Sequence, residues 1–306
     1  MTEQPSRREF LRDTSVGAVT LAAASAFPMS EAKSAEDSPS RIRKAVKLGM
    51  VRTEGTLTEQ FQLLKDLGYD GVEVSAPNSM DTKDLLKARD AADLPIHGVV
   101  DSVHWRQTLS HPDANVRAAG LDGFRKAIQA AKEYGASSVL LVPAVVSEDV
   151  SYKDAYERSQ AEIRKALPLA EKLNIQILFE NVWNNFLLSP LEMAGYIDEF
   201  DSPLVGAYFD VGNIVRYGWP THWIEALGDR IGKLDIKEYS RKLQNSKGPR
   251  SGFGVEIGEG DCDWPGVMQA LDQIGYSGWA TAEVRGGDKD RLADIKSRMD
   301  RVLTFA

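Results

Sequence analysis

From residue 46 onward, short apolar runs alternate with longer segments whose apolar residues recur at helical spacing. The segment 114–134 is typical, because Ala118, Leu121, Phe124 and Ile128 fall on one helical face. The short runs predict buried strands at residues 46–51, 71–74, 96–100, 138–142, 175–179, 205–209, 231–234 and 279–282. The longer segments predict helices at residues 57–67, 82–92, 114–134, 152–173, 190–199, 223–227, 264–274 and 291–303. Eight strands alternating with eight helices over roughly 260 residues predict an α/β fold, a single (β/α)8 TIM barrel.

A doubly wound α/β sheet is the alternative reading of the same alternation. Such a sheet usually has a glycine-rich phosphate-binding turn after its first strand, and none follows Val51. The glycines within residues 250–260 come late in the chain and precede no simple strand-to-helix turn. The pattern therefore favours the barrel, which we assign to residues 46–306.

Composition narrows the classes of partner and site. The net charge of −8 gives no polyanion-binding surface, so a nucleic-acid partner is not expected. Cys262 is the only cysteine, which excludes an intramolecular disulfide and a cysteine-based metal site. With four histidines in the whole sequence, a multi-metal centre rich in histidine is not expected either.

The N-terminal residues 1–27 have the features of a twin-arginine export signal. Arg7 and Arg8 precede an apolar run of small residues at 15–27, and residues 24–26 (Ala-Ser-Ala) provide a small-x-small cleavage site. The apolar run is too short to span a bilayer as a stable helix. The alternative is a chance arginine pair before an apolar N-terminus.

Residues 28–45 are rich in Ser, Ala, Glu and Lys and predict a disordered linker between the signal and the barrel. We expect the mature chain to begin between about residues 27 and 36. The predicted location is periplasmic or otherwise extracytoplasmic, without a stable membrane span once the signal is removed.

Four carboxylates stand at or near the C-terminal ends of four consecutive predicted strands: Glu180, Asp210, Asp235 and Glu283. In a barrel those ends converge on one mouth. Burying several carboxylates together requires a neutralising partner, and a divalent cation is the simplest one. All-oxygen ligation favours Mn²⁺ or Mg²⁺, with Co²⁺ and Zn²⁺ as further candidates. Alternatively, some of these acids cap helices or pair with nearby lysine and arginine side chains.

Motifs at these strand ends carry a family resemblance: Phe179-Glu180-Asn181, Phe209-Asp210-Val211-Gly212-Asn213, Leu234-Asp235-Ile236-Lys237-Glu238, Ala282-Glu283-Val284 and Ile257-Gly258-Glu259-Gly260-Asp261-Cys262-Asp263-Trp264. With them, residues 46–305 resemble the xylose-isomerase-like barrel family of sugar and sugar phosphate isomerases and epimerases. The resemblance is greatest to the branch of D-tagatose 3-epimerase and L-xylulose-5-phosphate 3-epimerase.

The resemblance implies one divalent metal held by Glu180, Asp210, Glu283 and a histidine. This chain departs from the pattern at that histidine, because Asp235 occupies the position. The replacement keeps a ligand but adds negative charge, which shifts the expected preference further toward Mg²⁺ or Mn²⁺. A second departure is Asn213, which stands where the tagatose epimerases have a histidine and where the phosphate-using branch has asparagine.

The activity implied by the resemblance is sugar epimerisation or isomerisation through an enediolate that the metal stabilises. Glu180 and Glu283 would act as the acid–base pair on opposite faces of the substrate. A lyase or dehydratase acting on a keto-sugar or inosose is the first alternative, and a non-catalytic carbohydrate-binding barrel is the second. The identity of the sugar and the oligomeric state, including a homo-oligomer, stay open.

Six further residues are candidates for contacting a sugar: His104, Trp183, Asn184, Asn213, Lys237 and Arg285. His104 has an alternative role as a buried or capping histidine. Lys237 and Arg285 are alternatively counter-ions of the carboxylates. Glu73, at the end of the second predicted strand, is interpreted as a salt-bridged residue of the rim.

Overall fold

A computed structural model describes residues 41–305 of the chain. The predicted signal at 1–27 and most of the predicted linker lie outside the described residues. Within residues 41–305, eight parallel strands form a closed barrel in chain order, with the last strand paired to the first. The strands are β1 (Ile42–Lys47), β2 (Gly71–Ala76), β3 (Ile96–Asp101), β4 (Ser138–Leu141), β5 (Gln176–Glu180), β6 (Val205–Asp210), β7 (Ile231–Ile236) and β8 (Gly278–Ala282).

Helices follow the strands and cover the barrel on its outside. They are α1 (Leu57–Asp66), α2 (Thr82–Ala92), α3 (Ala114–Tyr134), α4 (Tyr152–Leu173), α5 (Pro190–Asp198), α6 (Val211–Val215), α7 (Pro220–Leu227), α8 (Arg241–Lys247), α9 (Trp264–Gln273) and α10 (Lys289–Val302). The predicted (β/α)8 barrel is confirmed. The short helices α6 and α8 were not predicted, and both lie in connections after strands at the mouth of the barrel. Within the described part of the chain, no helix is long and apolar enough to cross a membrane.

The predicted boundary between linker and barrel is wrong at its C-terminal end. Strand β1 begins at Ile42, and Ile42 and Ala45 are fully buried. Residues 42–45 pair with β8, so they belong to the barrel and not to the linker. The polar residues Arg43 and Lys44 conceal this strand in the sequence, because they stand between the buried positions Ile42 and Ala45.

The barrel interior contains a connected group of polar side chains. The Tyr208 hydroxyl donates to Glu73 Oε1 at 2.9 Å and lies 2.9 Å from Thr281 Oγ1. Thr281 Oγ1 lies 3.1 Å from His97 Nε2, and Lys233 Nζ donates to the His97 carbonyl oxygen at 2.5 Å. Glu73 is therefore a buried interior residue in the middle of β2, which corrects its assignment to the rim.

Candidate active site

The four predicted carboxylates converge at the C-terminal mouth of the barrel. Glu180 and Asp210 are the last residues of β5 and β6, Asp235 is the penultimate residue of β7, and Glu283 directly follows β8. One oxygen atom from each carboxylate lies within 4.8 Å of the others. The prediction that these four side chains lie together is confirmed.

Local hydrogen bonds fix the direction of the Asp210 side chain. Asp210 is the N-cap of α6, and its Oδ1 accepts the Asn213 backbone N–H at 2.8 Å. This leaves Oδ2 free to face the other carboxylates. The Asn213 side chain donates through Nδ2 to the Asn181 carbonyl oxygen at 3.0 Å, which ties the loop after β5 to the start of α6.

Two lysine side chains enter the carboxylate cluster, Lys47 from the end of β1 and Lys237 from the residue after β7. Lys237 Nζ lies 2.6 Å from Asp210 Oδ2, 2.9 Å from Glu283 Oε2 and 3.9 Å from Glu180 Oε1. Lys47 Nζ donates to Asp235 Oδ2 at 2.9 Å and lies 3.1 Å from Glu283 Oε2. Lys237 therefore contacts the carboxylates, which agrees with its predicted role as their counter-ion.

Sequence reasoning missed Lys47. The first strand was predicted at residues 46–51, which puts Lys47 near its start, whereas in the structure Lys47 is the last residue of β1. A charged residue at the C-terminal end of any barrel strand points toward the same mouth. The shifted strand prediction therefore concealed that Lys47 lies at the mouth with the carboxylates.

The donor set of the cluster fits a divalent cation. Asp210 Oδ2, Asp235 Oδ1 and Glu283 Oε2 are buried and have no hydrogen-bond partner among the described residues. Lys237 Nζ lies at ion-pair distance from two of these oxygens but outside hydrogen-bonding geometry. Two ammonium groups offset half the charge of four ionised carboxylates, and one divalent cation would offset the remainder. Buried carboxylate oxygens are the ligands that hard ions such as Mg²⁺ or Mn²⁺ prefer.

The same charges move the pKa values of the two glutamates in opposite directions. Burial and repulsion from Glu283 raise the pKa of Glu180 to about 8, against the opposing effect of Lys237 and Lys47. Burial also acts to raise the pKa of Glu283, but the two ammonium groups dominate and hold it below its usual range. Carboxyl pairs whose pKa values are separated in this way can divide the roles of acid and base.

A cavity of about 1200 Å³ opens directly above the cluster. Glu180, Lys237 and Glu283 are among its lining residues, and Asn213 lies beside them. Its wall is aromatic on one side, where the Trp183 and Phe253 rings lie 4.9 Å apart. Hydrophobic walls with a few convergent polar groups are typical of sites for small molecules.

The remaining sugar-contact candidates divide into two groups. Trp183, Asn213 and Arg285 line the cavity, as Lys237 does. Asn184 is instead committed to the loop, because its Nδ2 donates to the Ala144 carbonyl oxygen at 2.8 Å and its Oδ1 accepts the Phe186 N–H. Asn184 is also buried and is not among the residues that line the cavity.

His104 is buried in the loop after β3, three residues beyond the last residue of that strand, Asp101. Its Nδ1 accepts the Val142 backbone N–H at 3.1 Å, which fixes the ring. Burial and the Lys47 charge lower the pKa of His104 to about 3, so the imidazole is neutral near pH 7. These contacts agree with the alternative reading of a buried histidine, and the substrate contact stays a prediction.

Comparison with known proteins identifies the family and agrees with the barrel fold. Residues 61–303 match the family described as "Xylose isomerase-like TIM barrel". The chain is 28% identical over 264 residues to the L-ribulose-5-phosphate 3-epimerase UlaE of Escherichia coli O1:K1 / APEC, covering 79% of this chain and 89% of that protein.

Solved structures agree on the fold. A D-tagatose 3-epimerase-like protein superposes with a TM-score of 0.73 at 21% identity, covering 86% of this chain and 97% of the other. A D-allulose 3-epimerase from Methylomonas sp. gives a TM-score of 0.71 at 19% identity, covering 87% and 98%. At these sequence identities, the similarity shows the barrel fold alone.

Proposed function

The chain belongs to the xylose isomerase-like TIM barrel family, and from this premise we propose that it is a divalent-metal-dependent sugar epimerase. The observation that carries the proposal is the meeting of Glu180, Asp210, Asp235 and Glu283 at the barrel mouth. The similarity to an L-ribulose-5-phosphate 3-epimerase over most of both chains supports the sugar substrate and the isomerase class of reaction.

In the proposed reaction, Glu180 and Glu283 exchange a proton with the carbon next to the substrate carbonyl. One carboxylate removes the proton and the other returns it from the opposite face, which inverts that carbon. The four carboxylates would hold Mn²⁺ or Mg²⁺, and the ion would supply Lewis acidity at the substrate carbonyl. Lys237 lines the cavity and can donate to a substrate oxygen while it remains paired with Asp210.

The cavity walls fit a carbohydrate. Trp183 and Phe253 provide apolar surface on which a sugar ring can pack, and Arg216 lies 4.5 Å from the Trp183 ring centroid. Arg250 and Arg285 add positive charge at the rim of the cavity. Because such charges attract anionic groups, the substrate test should include free and phosphorylated ketoses.

The test of the reaction is NMR of the protein with Mn²⁺ and a panel of ketoses, ketose phosphates and 3-keto-sugars in D₂O. An epimerase incorporates deuterium at one carbon and inverts it. A new alkene or a released group would instead identify a lyase or dehydratase. Absence of both exchange and product across the panel would contradict catalysis and leave the carbohydrate-binding barrel.

Variants locate the reaction at the proposed acid and base. Glu180→Gln and Glu283→Gln keep an oxygen ligand and nearly the same volume, and turnover should fall by at least ~10²-fold. Glu256→Gln is a matched control, because Glu256 lines the same cavity but pairs with Arg291 at 2.6 Å, away from the cluster. Turnover in this control should stay near that of the wild type.

Variants of Asp235 test the metal separately. Asp235→Ala should lose most Mn²⁺ affinity in calorimetry, and Asp235→His should keep binding while shifting preference toward Zn²⁺ or Co²⁺. Unchanged Mn²⁺ binding in Asp235→Ala would remove Asp235 from the ligand set.

A further inference from the structure

Lys47 lies beneath the carboxylate cluster, on the barrel side of the cavity. Its Nζ is 2.9 Å from Asp235 Oδ2 and 3.1 Å from Glu283 Oε2, and Glu73 Oε2 lies 3.7 Å away. The Lys47 side chain is 16% exposed, whereas those of Asp235 and Glu73 are fully buried. A single ammonium group therefore contacts three carboxylates from three different strands or strand ends.

Strand pairing explains how Lys47 reaches this position. Lys47 is the register partner of Glu73 in β2, and the neighbouring Val46 pairs with Ala282, the residue before Glu283. The backbone of β1 thus places Lys47 between two acids before any side-chain adjustment. Aliphatic side chains at this position would leave Asp235 and Glu73 buried with fewer counter-charges, which is costly.

The two lysines of the cluster have different surroundings. Lys237 is part of the cavity lining, where a substrate can reach it. Lys47 approaches the same carboxylates from below and belongs to the floor of the site. Its ammonium group is held by protein oxygens, so its effect on any reaction acts through the acids it contacts.

Among the buried oxygens suited to a divalent ion, Glu283 Oε2 is one that Lys47 already contacts. Oxygen ligands lie ~2.1 Å from Mg²⁺, and Lys47 Nζ is 3.1 Å from Glu283 Oε2. An ion using that oxygen would lie at most roughly 5 Å from the ammonium group, given the ~2.1 Å ligand distance. Two cations so close repel each other strongly in a buried site.

We propose that Lys47 is a positioning residue that holds Asp235 and Glu283 and opposes the divalent ion, both through its positive charge and through its contact with Glu283 Oε2. The inference rests on the metal site of the proposed function. It follows that this chain binds its ion more weakly than the same four carboxylates would without Lys47. It also follows that the carboxylates are held together by Lys47 before an ion binds.

The test is calorimetric titration of Mn²⁺ into the metal-stripped full chain at constant pH. Lys47→Met should bind Mn²⁺ at least ~10-fold more tightly than the wild type, because the competing charge is gone. Lys47→Arg keeps the charge and should stay close to the wild-type affinity. Lys44→Met is the matched control, since Lys44 is on the same strand but pairs with Asp300 at 3.0 Å, outside the cluster.

Thermal unfolding gives a second readout that a purely structural role would not produce. Without Mn²⁺, Lys47→Met should melt below the wild type, because Asp235 and Glu73 lose a counter-charge. Saturating Mn²⁺ should raise the melting temperature of Lys47→Met by more than it raises that of the wild type. If Lys47 were purely structural, its replacement would lower the melting temperature by the same amount with and without Mn²⁺. The increase that Mn²⁺ causes would then be the same in Lys47→Met and in the wild type.

The outcomes separate this inference from the proposed function. If the wild type binds Mn²⁺ and Lys47→Met binds it equally or more weakly, the proposed competition is wrong, while the proposed metal site is still supported. No Mn²⁺ binding in either protein overturns both. If circular dichroism shows that Lys47→Met does not fold, Lys47→Gln, which keeps hydrogen-bond donors without the charge, takes its place in the same comparison.

Discussion

The Asn181 side chain pairs with the Asp210 backbone in both directions. Asn181 Nδ2 donates to the Asp210 carbonyl oxygen and Oδ1 accepts the Asp210 N–H, each at 2.8 Å. Asn181 directly follows Glu180, so this pairing joins the ends of β5 and β6 at the point where both supply a carboxylate. The Phe-Glu-Asn motif therefore combines a site acid with the residue that aligns it to the next strand.

Replacing Asn181 should weaken both the fold and the site. Asn181→Ala leaves two buried backbone groups of Asp210 without partners, which should lower the free energy of unfolding by about 1–3 kcal/mol. Because Glu180 and Asp210 lose their alignment, Mn²⁺ affinity should fall as well. Urea denaturation and calorimetry measure the two effects.

Asn184→Ala is the matched control for this prediction. Asn184 also makes two buried hydrogen bonds, but to Ala144 and Phe186 in the loops and not to a ligand strand. We expect a similar loss of stability with little change in Mn²⁺ affinity. The same loss of Mn²⁺ affinity in both variants would contradict an aligning role for Asn181.

Glu238 organises the loop that precedes α9. Its Oε2 accepts the Gly258 N–H and the Trp264 Nε1–H, both at 2.8 Å, while its Oε1 accepts the N–H groups of Tyr239 and Cys262. The Gly-Glu-Gly-Asp-Cys-Asp-Trp motif thus wraps around one buried carboxylate. Gly260 is required there, because a Cβ atom would lie 2.5 Å from Glu238 Oε1.

Glu238→Gln should be strongly destabilising despite its small change in size. Either orientation of the amide points its NH₂ group at two N–H donors, which should cost about 2–3 kcal/mol of unfolding free energy. Glu259→Gln is the control in the same loop, since Glu259 is exposed and pairs with Arg298. An exposed ion pair contributes at most about 1 kcal/mol, so equal losses in urea denaturation would contradict the anchoring role.

The export signal predicts a processed N-terminus. Protein isolated from the native host should begin between about residues 27 and 36, because the small residues at 24–26 form the predicted cleavage site. N-terminal sequencing measures this directly. Replacing Arg7 and Arg8 together with lysine should block processing, and an unprocessed Met1 in the cytoplasmic fraction of cells making the wild-type chain would contradict the prediction.

The sequence predicted helices most accurately where local capping chemistry marks both ends. The bounds of α2, α3 and α4 agree with the predicted ranges to the residue. Asp81, Asp113 and Ser151 accept backbone N–H groups at their N-termini, which is the signal that Asp and Ser give as N-caps. Each helix also ends at a residue in the left-handed conformation, as expected for Gly and Asn at such ends.

The sequence predicted the four acids and offered Lys237 as a counter-ion, but it did not predict Lys47. Strand ends can be recognised locally, and parallel closure then brings Glu180 and Glu283 to one mouth. The contact of Lys47 with Asp235 joins residues 188 positions apart, and it depends on which way each side chain points in a register that only the folded barrel defines. Glu73 was misplaced for the same reason, since an interior and a rim position differ by one or two residues along a strand.

Asp101, the last residue of β3, gives the chain a testable dependence of stability on pH. Its side chain is 1% exposed and accepts the Val103 N–H through Oδ1 at 3.1 Å. Burial raises the pKa of Asp101 to about 7, although the hydrogen bond from Val103 opposes the rise. Between about pH 4 and pH 7 the folded chain therefore retains a proton that the unfolded chain has lost.

A group with a raised pKa in the folded state stabilises the fold below its unfolded pKa, and that contribution is lost as the pH rises through the folded pKa. Asp101→Asn keeps the oxygen that accepts the Val103 N–H and removes the ionisation. We expect its unfolding free energy to exceed that of the wild type by on the order of 2–4 kcal/mol at pH 8. The difference should shrink toward zero near pH 4, where Asp101 is protonated in the folded wild type and about half protonated in the unfolded chain. Urea denaturation of both proteins from pH 4 to pH 8 measures the difference directly, so contributions from other titrating groups cancel. A constant difference across that range would show that Asp101 ionises normally in the folded chain.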